Sequence, residues 1–385
     1  MMHARLAAPR IDHVDAAESA ALAAIDVFVD AHPAATPFHR TAWNIAVARG
    51  CGQRAHWLVS RNARGDVDGV LPLTELHSPL FGRALTSVGF AVDGGILTAD
   101  RHPREGGGPY TQELVADATP EVMDSRLRGN DDVAERLADA AWDLAERLSC
   151  PTLELRGGAL PQGWAIDATT YLGHVRALAT DDQAELLAIP RKQRAEVRRS
   201  LDLPLTIEIG SAPDDRAAHH AVYAESVHNL GTPVFPRALF DAVLDGFGAD
   251  ADILTVRHEG IAVASVLSLY WRGTVYPYWG GGAAAARALR ANDRMYFALM
   301  GHARARGCTH FDFGRSKAGT GAAAFKHNWG FEGQPLAYAR RNTGGGAGRD
   351  TNPLSAGNRL KVEAWKRLPR GLADRLGPLL SRGLG

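Results

Sequence analysis

Thr309-His310-Phe311-Asp312-Phe313-Gly314-Arg315-Ser316-Lys317 alternates aromatic and polar side chains over its first half. That is the period-two pattern of a strand with one buried face. Asp293 to Arg306, just before it, has helical spacing, and Gly307 stops the helix. Further upstream, Asp252-Ile253-Leu254-Thr255-Val256 and Ala262 to Tyr270 read as two strands joined by a turn at His258-Glu259-Gly260. Val275-Tyr276-Pro277-Tyr278-Trp279 is a third strand. The order is therefore hairpin, further strand, helix, final strand.

The first half repeats this order. His56-Trp57-Leu58-Val59-Ser60 and Val70-Leu71-Pro72-Leu73-Thr74 form a hairpin around a polar turn that ends in Asp68-Gly69. Leu85 to Val88 and Gly95 to Leu97 are short extended pieces. Asp132 to Leu148 is a helix with Val133, Leu137, Ala140, Ala141 and Leu144 on one face, and Thr152-Leu153-Glu154-Leu155-Arg156 is the final strand. The two halves read as a tandem duplication of an α/β unit, and 385 residues suit two domains. The expected boundaries are 1–175, 176–342, and a linker with tail at 343–385.

Several stretches fall outside the repeat. Asp15 to Ala31 has helical spacing, and a second helix is expected near Thr41, after Pro37. Residues 101–131 have no apolar period and read as an inserted loop, expected to be poorly packed and dispensable for activity. Pro190 opens a basic helix in which Arg191, Arg194 and Arg198 share one face. Thr343 to Arg349 is a glycine-rich linker. From Ala356 onward seven Lys/Arg stand against two Asp/Glu, which leaves the leucine-rich tail at about +5.

Composition excludes several classes. Lys+Arg and Asp+Glu are both 43, which argues against a DNA-coating protein. Cys51, Cys150 and Cys308 are too few and too scattered for a disulfide framework or a zinc knuckle. The most apolar stretch, Gly260 to Trp271, is too short to span a bilayer. Asp12, Asp15 and Glu18 stand where a secretory signal would be apolar, so a cytoplasmic protein is expected. There is no phosphate loop ending in Lys-Ser/Thr, no His-Glu-x-x-His pair and no Gly-x-Ser-x-Gly elbow. The histidines are scattered, so no metal site is expected, and nucleophile-and-base chemistry has no anchor.

A set of motifs remains. Asn229-Leu230-Gly231-Thr232-Pro233-Val234-Phe235 follows a helix expected from near Ala221. Trp279-Gly280-Gly281-Gly282 and Phe311-Asp312-Phe313-Gly314-Arg315-Ser316-Lys317 end strands, and Phe325-Lys326-His327-Asn328-Trp329-Gly330-Phe331 comes next. With Pro37-Phe38 to Trp43, Val70-Leu71-Pro72-Leu73, Gly94-Gly95, Pro190-Arg191-Lys192 and Trp365-Lys366-Arg367-Leu368-Pro369, these resemble the FemAB-like branch of the GNAT acyltransferases. In particular they resemble the FemAB-related proteins that accompany exosortase (XrtA)/PEP-CTERM and exopolysaccharide systems. The resemblance covers nearly the whole chain except 101–131.

The resemblance implies tandem GNAT-like domains, mixed sheets flanked by helices. It also implies acyl or aminoacyl transfer to an amine or hydroxyl of a cell-envelope or exopolysaccharide precursor. In that fold two splayed strands hold the donor, backbone N–H groups and nearby cations steady the developing charge, and the acceptor attacks directly. The donor would be acyl-CoA or aminoacyl-tRNA, with no bound cofactor. The acceptor would be a small-molecule or lipid-linked glycan or peptidoglycan-type precursor. The stretch Ala283 to Asp293 lacks the Arg/Gln-x-x-Gly-x-Gly/Ala pattern of acetyl-CoA enzymes. The long helical hairpin of some peptidoglycan-bridge enzymes is not visible either, so the donor stays open.

Candidate residues carry alternatives. Lys326 and Arg315 would bind phosphate or the developing oxyanion, or else form surface salt bridges. Asp312 would orient or deprotonate the acceptor, or else be a structural partner of Arg315 or Lys317. Tyr278 and Trp279 would form an acceptor platform or pack in the core. Arg191, Arg194 and Arg198 would grip a diphosphate or lie on a solvated face, and Lys317 joins the substrate-binding candidates. The tail, 356–385, would touch the inner membrane from the cytoplasmic side or pack on the second domain. The rival functions are a catalytically silent scaffold in a polysaccharide-export or PEP-CTERM assembly, and self-resistance by acylation of a small toxic amine.

Overall fold

In the computed structural model the repeated order becomes two sheets, each in its own compact unit. The structure describes residues 9–78, 82–99, 125–345 and 362–384. The first unit contains residues 1–169, 336–350 and 383–385; the second contains 170–335 and 351–382.

In the first unit β1 (Arg10–Asp15) is followed by α1 (Ser19–Ala31) and α2 (Thr41–Cys51). Then come β2 (Arg54–Arg61), β3 (Val67–Ser78), β4 (Gly82–Thr86), β5 (Leu97–Thr98), α3 (Ser125–Arg147), β6 (Thr152–Arg156) and β7 (Ala165–Asp167). The sheet order is β1-β2-β3-β4-β6, then β15 (Tyr338–Asn342), then β7, with β5 alongside β3. Val133, Leu137, Ala141 and Leu144 of α3 recur at helical spacing and are buried against Leu58, Leu71, Leu73 and Leu85 of the sheet.

In the second unit β8 (Tyr171–Ala177) is followed by α4 (Asp182–Ala188), α5 (Arg191–Leu201), β9 (Leu205–Gly210), α6 (Pro213–Leu230) and α7 (Arg237–Phe247). Next are β10 (Ala251–His258), β11 (Ile261–Trp271), β12 (Thr274–Gly282), α8 (Ala291–Ala305), β13 (His310–Lys317), α9 (Gly321–Asn328) and β14 (Gly333–Pro335). The chain returns with a helical turn, α10 (362–366), and α11 (Arg370–Ser381). The sheet order is β9-β10-β11-β12-β13-β8-β14. Its core gathers Phe311, Phe313, Trp329 and Phe331 with Met295, Leu299 and Met300 of α8. Burying each such aromatic contributes about 1.5–3 kcal/mol.

The two sheets thus share one strand order. Each contains a parallel pair joined by a helix, β4 with β6 and β12 with β13. Each parallel pair is extended by a strand from elsewhere in the chain: β15, which follows the second repeat, pairs with β6, and β8, which follows the first, pairs with β13. The sequence boundary at 175/176 therefore falls inside β8, a strand of the second sheet, and the residues just before 342 lie in the first.

Other elements also differ from expectation. The turn of the first hairpin is at Asn62 to Asp66, and Asp68-Gly69 lies within β3. Asn62 closes that turn by accepting the backbone N–H groups of Arg64 and Asp66 on its side-chain oxygen. The helix after the first unit's fourth strand starts at Ser125, within the 101–131 stretch read as an insertion. Residues 101–124 of that stretch lie outside the described residues, as do 346–361 of the linker and tail. α6 begins at Pro213 rather than near Ala221, with Asp215 accepting the Ala212 N–H at its start.

The tail is a packed element of the second unit. Arg370 pairs with Glu225 at 2.5 Å and donates to Ala221 O, and Ser381 Oγ donates to Val234 O at 2.7 Å. Among the described residues no helix is long and apolar enough to cross a membrane. Cys51, Cys150 and Cys308 are buried, and no disulfide joins them among the described residues.

Candidate active site

β12 and β13 pair only at Thr274–His310 and Val275–Phe311, and beyond that they part. Both bulge just past the last pair. In β12, Leu267 faces Trp279 while Ser268 faces Pro277, so Tyr278 is the extra residue. In β13, Val175 faces Asp312 while Gly173 faces Arg315, so Phe313 and Gly314 stand against one residue, His174. A bulge redirects side chains and increases local twist. Two bulges at one level, three residues past the last pair, open a fork between parallel strands.

Asp312 and Lys326 fasten the bulge in β13. Asp312 is 1% exposed, and its Oδ1 accepts the Gly314 N–H at 2.7 Å. Gly314 has φ +66°, a left-handed conformation that a side chain would strain. Lys326 comes from α9, which is capped by Thr320. It is 9% exposed, and its Nζ donates to Gly314 O at 3.0 Å and Arg315 O at 2.9 Å. Asp312 alternates with Phe311 and Phe313, which lie in the core beneath α8, whereas Lys326 Nζ sits on the Phe313 side, 6.0 Å from that ring. The carboxylate and the ammonium thus hold neighbouring backbone groups of one bulge. Burial lowers the Lys326 pKa to about 7; Asp312 opposes this and the Arg315 charge adds to it.

Arg315 is half-buried over the Tyr171 ring at 4.8 Å, and Lys317 ends β13. Trp279 is 5% exposed and packs edge-on against Phe240 at 4.9 Å and Tyr278 at 5.0 Å. Tyr278 and Phe235 are half-buried, and Phe235 meets Trp279 at 6.5 Å. The result is an aromatic shelf whose inner member, Trp279, is core and whose outer members are Tyr278 and Phe235.

The three glycines after Trp279 let helices approach the end of β12. A Cβ on Gly281 would lie 2.3 Å from Ser226 Oγ of α6, and one on Gly282 would lie 2.5 Å from Ala286 Cβ. The following loop leads to the N-terminus of α8, an end that favours anions. Carboxylates already stand along that loop and in the first turn of the helix. Glu225 Oε1 accepts the Ala284 N–H at 2.6 Å, and Asp293 accepts from Gln193 at 2.5 Å. Burial raises the Asp293 pKa to about 6; the Gln193 hydrogen bond opposes this and the Glu196 charge adds to it. Arg290 is held by Glu196 at 2.6 Å.

The three arginines that share a face of α5 by spacing, Arg191, Arg194 and Arg198, divide. Arg194 donates to Leu187 O and Ile189 O and so closes the end of α4. Arg191 and Arg198 are exposed, and their side chains make no hydrogen bond or ion pair among the described residues. Gln193, Glu225 and Asp293 were not singled out from sequence, because nothing in their local spacing marks them. Among the described residues no group of His, Cys, Asp and Glu could hold a metal ion.

The corresponding place in the first unit is filled. β4 and β6 pair at Leu85–Leu153 and Thr86–Glu154, and the chain from Ser87 then occupies the gap. Arg156 donates to Glu154 at 2.8 Å and Ala91 O at 3.1 Å, and its N–H donates to Ser87 Oγ at 2.7 Å. The segment rejoins the sheet where Ala159 N–H donates to Ile96 O. Buried Val88 and Phe90 adopt φ of 48° and 60° to make this turn.

Residues 190–327, which include both arms of the second fork, match the family profile described as Acetyltransferase (GNAT) domain. Solved structures extend the likeness to the rest of the chain. FemX is similar with a TM-score of 0.58 at 14% identity, over 86% of this chain and 96% of that one. A tandem GNAT protein from the clavulanic acid biosynthesis pathway gives 0.52 at 14% identity, over 88% and 100%. The chain folds as two GNAT-like domains in tandem. The C-terminal domain of a putative lysylphosphatidylglycerol synthetase from Agrobacterium fabrum gives 0.51 at 14% identity, over 84% and 92%. At such identities these likenesses speak for the fold. No curated protein matches the chain by sequence.

Proposed function

We propose that the second GNAT-like domain transfers an acyl or aminoacyl group, by direct attack, to an amine or hydroxyl of a cell-envelope or exopolysaccharide precursor. The observation that carries this reading is the doubly bulged fork between β12 and β13. The donor carbonyl lies in the fork, where bulged backbone groups and the Lys326 ammonium steady charge on its oxygen. Asp312, at the same bulge, takes the acceptor proton. The acceptor carbon–nitrogen or carbon–oxygen bond forms as the donor thioester or ester bond breaks, and the thiol or hydroxyl leaves with a proton. No covalent enzyme intermediate is needed.

The outer aromatics, Tyr278 and Phe235, suit the apolar face of a sugar ring. Acyl-CoA fits the matched profile as donor. The carboxyl of Asp293 in the first turn of α8 favours a donor that places less negative charge there, such as an aminoacyl ester. Arg191 and Arg198 are exposed cations of α5 open to a diphosphate, and Arg315 and Lys317 line the far arm. An envelope acceptor draws support from the resemblance of the motifs, including those of PEP-CTERM-associated proteins, and from the name of a structural relative, which gives lysylphosphatidylglycerol as a product.

The test is transfer from acetyl-CoA and from charged tRNA to amino sugars and peptidoglycan fragments, followed by mass spectrometry. Asp312→Asn is expected to lower turnover by about a hundredfold or more. Full turnover by that variant, or no product from either donor class, would refute the assignment.

A further inference from the structure

We infer that α11 is a docking face for an anionic lipid surface, held rigidly beside the aromatic shelf. The inference rests on the acceptor side of the proposed reaction, but its test does not need turnover. Leu372, Leu376 and Leu379 are 44%, 38% and 56% exposed. Their four- and three-residue spacing puts them on one helix face, and Arg375 shares it. The guanidinium groups of Arg375 and of exposed Arg367 make no hydrogen bond or ion pair among the described residues.

The opposite face is committed to the domain. Ala373, Gly377 and Ser381 are buried. A Cβ on Gly377 would lie 2.9 Å from Val234 Cγ1 and 3.0 Å from Val234 N, and Ser381 Oγ donates to Val234 O. Arg370 ties the start of α11 to Glu225, and His228 Nε2 donates to Leu368 O at 3.2 Å just before it. The leucines thus point outward from a fixed helix, not from a loose tail. A buried face and an outward stripe of leucines with arginines is the pattern of a helix lying in a membrane interface.

Charge selects the occupant. The chain is neutral overall, with 43 basic and 43 acidic residues, yet 356–385 carries seven Lys/Arg against two Asp/Glu. On the described part of the tail, exposed Arg367 and Arg375 complement anionic headgroups. Val234, which α11 grips, immediately precedes Phe235 of the aromatic shelf. Docking through α11 would therefore hold that shelf about one helix diameter, ~10 Å, from the lipid surface, within reach of the headgroup of a lipid-linked acceptor.

The test uses the full chain and sedimentation with vesicles. Vesicles of equal phosphatidylglycerol and phosphatidylcholine are expected to bind the protein at least about tenfold more tightly than phosphatidylcholine alone, and about 0.5 M salt should abolish the preference. Leu372→Ser/Leu376→Ser/Leu379→Ser should weaken binding by about tenfold or more, and Arg367→Glu/Arg375→Glu should remove the anionic preference. Circular dichroism and melting should stay unchanged, because these side chains face solvent. Absence of wild-type binding, or full binding by both variants, would overturn the inference. So would a dimer that the leucine variant dissociates without any vesicle binding. Failure of acyl transfer with every donor would leave this measurement standing, so the two readings fail separately.

Discussion

Replacing Lys326 by Met should remove a pH dependence of stability that the wild type carries. Burial lowers the folded-state pKa from 10.5 to about 7. A gap of that size corresponds to about 5 kcal/mol against the charged form in the folded chain. The sign follows from proton binding. Below pH 7 both states hold the proton, and the penalty acts in full. Between about 7 and 10.5 the unfolded chain holds one more proton than the folded chain, so stability rises with pH by up to about 1.4 kcal/mol per unit. Lys326→Met abolishes that term but leaves Gly314 O and Arg315 O without their donor, which costs about 1–3 kcal/mol each. At pH 6 the losses and the gain nearly offset, and the variant should lie within about 3 kcal/mol of wild type. At pH 9 the wild type has gained a further ~3 kcal/mol that the variant lacks. Urea titrations of both proteins at pH 6, 7, 8 and 9 measure the difference, and the other titrating groups cancel in the subtraction. Parallel stability curves would refute the lowered pKa of the buried lysine.

If protonated Lys326 steadies the donor oxygen, kcat/KM should fall as pH rises through about 7, and Lys326→Arg, which keeps its charge, should flatten that limb. Gly281→Ala should destabilise by about 1–3 kcal/mol, because the new Cβ meets Ser226 Oγ and Cβ at 2.3 and 2.5 Å; urea midpoints should recover part of that loss in the double variant with Ser226→Gly. In the first unit, burial pushes the Glu154 pKa up, but Arg156 and Arg340 outweigh it and hold it at about 2. Its contribution is therefore present above about 4.5 and lost as pH falls through 2. Glu154→Gln should cost about 3 kcal/mol at pH 7 and blunt the acid unfolding followed by tryptophan fluorescence. Arg156→Met should cost about 3 kcal/mol in urea unfolding, by leaving Glu154 short of a partner, without changing turnover in the second unit.

The repeated order of hairpin, strand, helix and strand was legible because each element carries its own period. Leu137, Ala141 and Leu144 mark α3, and Phe311 and Phe313 mark β13. β1, β7, β8, β9, β14 and β15 were not legible. Most are short, and several gain their partners only through long-range pairing, as Tyr338–Arg156 and His310–Ala177 do. A strand exchanged with another sheet has no local signal. The first hairpin turn was misplaced because Asp68-Gly69 has turn composition, while Asn62 and its two side-chain bonds decide the turn. At the site, Asp312, Arg315 and Lys326 were named from sequence and lie around one bulge. Arg194 shared a face with Arg191 and Arg198 by spacing, yet carbonyls left open at the end of α4 claim it. The bulges themselves could not be read, since a bulge is a register difference between two strands.

The first unit explains why a duplicated fold offers one fork rather than two. A parallel pair joined by a helix parts wherever its ladder stops, and something must then occupy the gap. In the first unit the chain fills it. Val88 and Phe90 take left-handed backbone conformations that cost of order 1–3 kcal/mol each. Arg156 and the Ile96–Ala159 bond offset this by satisfying the groups brought inside. In the second unit β12 stays paired with β11 as far as Gly282, and the chain leaves for α8 only there, through 283–290. Bulges held by Asp312 and Lys326 do not reclose the strands. Substitutions that loosen the 87–96 segment should therefore lower stability without creating a second reactive cleft. Val88→Gly tests this: glycine relieves the left-handed strain but forfeits a fully buried valine, so urea unfolding should shift while donor sites stay at one per chain, counted by equilibrium dialysis with whichever donor class supports transfer. A second equivalent of bound donor in that variant would show that the plug, not the bulged fork, sets which unit can react.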